Sequence, residues 1–166
     1  MLIHRLLLIV VTAYDASGSW WDPSSWGSGS IGDPGASGSG TDDPIELDIV
    51  ADGGIVVQAV ISDTPQDDLE SGQANLYAVP AAVPFTRSSM RNDAVRLGIH
   101  GDDAWLPGAV FLFGLSNVTG RPDSIIPLIH IDKWGTTPLS TDPAEGNAQV
   151  VLPLLPAAAP TWPEQL

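Results

Sequence analysis

Proline and glycine interrupt this chain too often for long helices. With 17 Gly and 15 Pro in 166 residues, they make up roughly a fifth of the chain, against a usual share of about 12%. Only residues 66–73 and 86–92 leave room for a helical turn. Between the breakers, apolar and polar residues alternate at period two, the pattern of a strand with one buried face. "IELDIVA" (45–51) sets Ile45, Leu47 and Ile49 against Glu46, Asp48 and Val50, and "GIVVQAVIS" (54–62) follows it after Asp52-Gly53-Gly54, a hairpin signal. Residues 2–14, rich in Leu, Ile and Val, predict a buried first strand. Further strands are predicted at 73–79, 94–100, 109–115, 125–131 and 148–155, separated by Pro80 and Pro84, by Gly101-Asp102-Asp103, by Gly120-Arg121-Pro122 and by residues 138–146. Short strands with frequent turns predict an all-β fold, an antiparallel β-sandwich with a long Gly/Ser/Trp loop after the first strand. The expected organisation is an N-terminal strand (1–14), a Gly/Ser/Pro-rich loop (15–44), a sandwich core (45–155) and an extended, proline-punctuated tail (156–166).

Charge narrows the function. The net charge is -14, with 20 acidic residues against 6 basic ones. Nucleic-acid binding needs a basic surface and is excluded on this ground. An anionic membrane would repel the chain unless a cation bridged the two. The absence of cysteine removes disulfides, zinc-thiolate sites and thiol catalysis. The first thirteen residues have the look of a short signal peptide, with Arg5 before an apolar run from Leu6 to Ala13, but the preferred reading is a buried strand; they are too few to span a bilayer.

The segment 15–44 is nearly free of aliphatic residues, yet carries Trp20, Trp21 and Trp26. Three indoles need cover. They either pin the loop to its own sheet or form a ligand or protein interface, and the Gly and Ser around them favour reach toward a partner. A second acidic stretch, "TPQDDLESG" (64–72), holds Asp67, Asp68 and Glu70 and leads into the strand "ANLYAV"; "AVRLGIHGDDAWLPGAVFLFGLS" reads as strand, acidic turn with Trp105, strand. Trp105 is expected to be buried at that corner.

These two blocks resemble the PLAT/LH2-like β-sandwich group over residues 54–131, through Thr64, Asp67, Asp68, Gly72, Asp103 and Trp105, with Pro65 and Glu70 departing from the pattern. The resemblance implies a lipid- or protein-docking module, in some members with calcium held by loop carboxylates. Calcium takes hard oxygen ligands from flexible acidic loops, which makes Asp67, Asp68 and Asp103 its candidate ligands. The structural alternative is that these residues form turns. A further constellation, His100-Gly101-Asp102 beside His130-Ile131-Asp132, would gather metal ligands if the two strands paired.

No nucleophile elbow, zinc-protease helix or phosphate loop is present. The expectation is a non-enzymatic binding or docking module contacting a protein or a lipid surface, possible calcium being its sole cofactor, with a protein partner or self-assembly. The alternative is a structural subunit of a larger assembly, such as a phage or virion decoration or tail protein. A secreted or virion setting fits either reading better than the cytoplasm.

Overall fold

The computed structural model describes residues 1–13, 40–61, 69–116 and 124–156. They form β1 (Leu2–Thr12), β2 (Ile45–Ala51), β3 (Gly54–Val60), β4 (Ala74–Thr86), β5 (Met90–Ile99), β6 (Ala104–Trp105), β7 (Pro107–Ser116), β8 (Ser124–Ile131), β9 (Leu139–Ser140) and β10 (Gln149–Leu152). Two four-stranded sheets, ordered β4-β1-β7-β8 and β10-β5-β2-β3, pack against each other, and β6 and β9 make a small third sheet. Every pairing between these strands is antiparallel. The sandwich is the fold class that the sequence predicts. The one 3-10 turn among the described residues, Arg87–Ser89, lies in one of the two windows left open for helix; the described part of the other window, 69–73, is a turn.

Period two explains the core. Leu6, Leu8 and Val10 of β1 are fully buried, and so are Ile45, Leu47 and Ile49 of β2 and Val110 and Leu112 of β7. A register shift between Ile3 and Arg5 lets Ile3 point inward as well, out of step with Leu6. β1 is an interior strand, bonded to β4 on one side and β7 on the other, so the N-terminal residues belong to the sandwich itself. The β2–β3 hairpin turns on Asp52 and Gly53, at φ 52° and 78°. Two successive positive φ angles match the twist of a two-residue hairpin, and Asp-Gly suits them.

The largest departure from the expected strand boundaries is in β4. Pro80 and Pro84 were expected to end a strand, yet β4 runs through both to Thr86. β4 is the outer strand of its sheet, and an outer strand has a solvent side where a missing N–H costs little. Pro127 obeys the same rule on β8, the opposite edge, next to a register shift.

Chain reversals sort to two ends. One end carries the turns 52–53 and 87–89 and the ends of β7 and β8 at Ser116 and Ser124. The other, the loop end, carries the described residues 13, 40–44, 61, 69–73, 100–106 and 132–148, with β6 and β9 among them.

Candidate functional site

The loop end is where the segments the sequence singles out as candidate sites leave and rejoin the described structure. The segment with Trp20, Trp21 and Trp26 leaves it at Ala13 and returns at Gly40, and the segment with Asp67 and Asp68 leaves at Ile61 and returns at Leu69. Those five residues lie outside the described residues. Asp103 and Trp105 are described, and both sit at this end.

A buried relay ties the end together. Trp105 is fully buried, in the corner where it was expected. Its Nε1–H donates to Thr12 Oγ1 at 3.0 Å, and the Thr12 hydroxyl donates to the Leu69 carbonyl at 3.0 Å. Leu69 is itself fully buried, with φ 64°. A bulky residue held there costs roughly 1–3 kcal/mol; burial and the Thr12 bond hold it in place. Beyond it, Gln73 N–H donates to the Glu70 carbonyl at 2.9 Å, and Ser71 Oγ–H donates to the Ala13 carbonyl at 3.3 Å. The last residues of "TPQDDLESG" are thus a plug clamped to the end of β1.

A second clamp joins Thr41–Asp43 to the Gly101–Asp103 turn. Asp43 Oδ2 accepts from the Asp103 backbone N–H at 2.6 Å, while Asp43 N–H donates to Thr41 Oγ1 at 3.0 Å. Gly101 has φ 132°, and a Cβ there would stand 2.1 Å from Asp43 Oδ1. Any side chain would therefore collide with the carboxylate. The Thr141 hydroxyl donates to the Gly101 carbonyl, bringing in the third acidic loop. In that loop Ser140 Oγ–H donates to Glu145 Oε2 at 3.1 Å, and Ala144 N–H donates to Asp142 Oδ1 at 2.8 Å. These acids shape turns by accepting backbone and hydroxyl protons.

Sequence reasoning missed Thr12, Thr41, Asp43 and Leu69. "TDDP" immediately before an apolar strand was the available signal for Asp43, but it stood at the end of a low-complexity run.

Among the described residues, no three His, Asp or Glu side chains come together as a metal-holding group. Asp103 therefore has no described ligand set around it. The condition for a histidine site is not met: His100 follows β5 in one sheet, and His130 is on β8 in the other. His130 stacks edge-on against Phe111 at 5.2 Å between ring centroids, and His100 Nε2 pairs with Glu46 Oε2.

Glu46 belongs to a polar ladder on the outer face of the second sheet, where Asp48 stands opposite Gln58 and Arg96. Bonds from His100 and Gln58 hold the Glu46 carboxyl below its ordinary value. Burial, then the Glu46 charge, push Asp48 up, and its Oδ1 is buried without a hydrogen-bond partner.

No family model matches the chain, and no curated protein matches it. Solved structures do. The alpha toxin from Clostridium absonum aligns with 90% of this chain and 31% of its own, at TM-score 0.57 and 16% identity. Coral 8R-lipoxygenase, described as calcium-activated through a C2-like domain, aligns with 90% of this chain and 17% of its own, at TM-score 0.44 and 16% identity. A lipoxygenase in complex with arachidonate aligns with 91% of this chain and 16% of its own, at TM-score 0.47 and 15% identity. This chain spans less than a third of the length of each. The likeness to the alpha toxin is one of fold, an antiparallel β-sandwich.

Proposed function

We propose that this chain is a non-enzymatic docking module that presents its loop end to a basic protein surface, with Trp20, Trp21 and Trp26 supplying apolar contacts. One observation carries the reading. Among the described residues, the loop end holds eight acids, Asp42, Asp43, Glu70, Asp102, Asp103, Asp132, Asp142 and Glu145, against one basic residue, Lys133, whereas the turns at the other end balance Asp52 against Arg87. A field this one-sided attracts a cationic partner and orients its approach. Indoles beside it give the partner something apolar to bury, as interface aromatics do. An anionic bilayer meets repulsion at the same end.

A calcium-assisted form of docking rests on Asp67 and Asp68 joining Asp103, since the described residues alone gather no such group. The test is titration of the full chain with a lysine-rich peptide, followed by tryptophan fluorescence and by calorimetry. The expected result is saturable binding that weakens with salt, because exposed charges are screened over about 8 Å at physiological ionic strength, and that is lost when Trp20, Trp21 and Trp26 are replaced by Ser. An equal response to a glutamate-rich peptide, or none to either, overturns the proposal.

A further inference from the structure

The two outer faces of the sandwich differ. On the second sheet the outward residues include Glu46, Asp48, Gln58, Arg96 and Gln149. The four strands of the first sheet contain no aspartate, glutamate or lysine at all, in a chain where 20 of 166 residues are acidic. The register brings Leu7, Ile9 and Val11 of β1 beside Phe113, Phe111 and Ala109 of β7, Ala78, Leu76 and Ala74 of β4, and Ile125 and Pro127 of β8. These residues alternate with the buried row and point away from the core. Leu76 is 62% exposed and Ile125 57%.

We infer that this face is the contact between two copies of the chain, packed sheet on sheet about a two-fold axis. Charge argues for a copy. Each chain carries -14, and this flank is one on which two copies can meet without opposing carboxylates, its outward titratable groups including Arg5, opposite Leu115 and Pro80, and His130, opposite Phe111. Size agrees. Four strands about 4.8 Å apart, with about seven residues of shared register rising about 3.4 Å each, give a face near 450 Å² in projection. Side-chain relief raises the accessible area above that, toward the roughly 500 Å² per partner at which specific interfaces begin, short of the roughly 800 Å² of a standard one. Relief is also complementary: Phe111, Phe113 and Leu76 stand beside Ala74, Ala78 and Ala109, so knobs on one copy find low ground on the other, at the ~10 Å separation of packed sheets. The interface lies on the flank and leaves the loop end open, so its success or failure is separate from that of the docking reading.

Light scattering and sedimentation of the full chain across a dilution series test the inference. The expected mass is twice the 17.4 kDa of one chain. Replacing Leu76 and Ile125 together by Glu should return the mass to that of one chain with an unchanged far-UV spectrum, since both side chains are solvent-exposed at the sheet's margins. Replacing Val60 and Val151 by Glu, exposed on the other outer face, should leave the dimer intact. A monomeric parent chain overturns the inference, and so does a dimer that survives the Leu76/Ile125 change. A monomer that begins to associate when Trp20, Trp21 and Trp26 become Ser also overturns it, because the chain's own segment would then be the cover.

Discussion

Trp105, Thr12 and Leu69 form the chain's most concentrated set of dependencies. Trp105→Ala removes a fully buried indole and the donor to Thr12 Oγ1, while the Thr12 bond to the Leu69 carbonyl stays available, and is expected to cost roughly 3–5 kcal/mol. Trp105→Phe, which keeps most of the volume, should cost far less, leaving mainly the lost hydrogen bond at about 1 kcal/mol. Urea unfolding of both variants checks the order, and equal losses would mean that the bond, rather than the packing, is what matters. Asp48 makes a pH-dependent prediction. Its folded-state pKa is raised, so ionisation penalises the folded chain above that pKa, and the penalty disappears as pH falls below the ordinary carboxylate range. Asp48→Asn should therefore melt higher than the parent at neutral pH, and the gap should close on acidification. Glu46 works in the opposite sense: its pKa is lowered, so it supports the fold above its unfolded value and that support is lost as pH falls through the folded one. Melting curves across pH separate the two signs. Of these residues, Trp105 was legible in the sequence because an aromatic between an acidic turn and Pro107 has to be buried somewhere. Thr12 and Leu69 were not, since their roles depend on contacts 57 and 93 positions away along the chain.

At the scale of elements, alternation made the eight longer strands readable, and Asp52-Gly53 fixed the hairpin. What the sequence concealed follows from position in the sheet. Pro80 and Pro84 read as breakers until β4 is known to be an edge, and β6 and β9, two residues each, are too short for any period to register. The two histidine motifs looked alike in one dimension and ended in different sheets. The interior position of β1 gives an element-scale prediction. A chain beginning at Tyr14 loses the strand between β4 and β7, and with it the buried Ile3, Leu6, Leu8 and Val10. It should show no cooperative thermal transition; a truncated chain melting like the parent would contradict the assigned sheet order.

At the scale of the whole molecule, charge is polarised between the two ends of the sandwich: among the described residues the loop end is acidic, and the turns at the other end set Asp52 against Arg87. Mutual repulsion among those acids should destabilise the chain at low ionic strength, so its melting temperature should rise with added monovalent salt. Calcium should add a further rise at constant ionic strength only if Asp67 and Asp68 complete a site with Asp103, and Asp67→Asn with Asp68→Asn should then erase it. No added shift at millimolar calcium would leave these residues as turn formers. Amide hydrogen exchange of the full chain, with and without a lysine-rich peptide, tests the proposed docking at the loop end. Added protection is expected in residues 40–44, 69–73, 100–106 and 132–148. Protection confined to residues 52–53 and 87–89, or to the polar face of the second sheet, would contradict it.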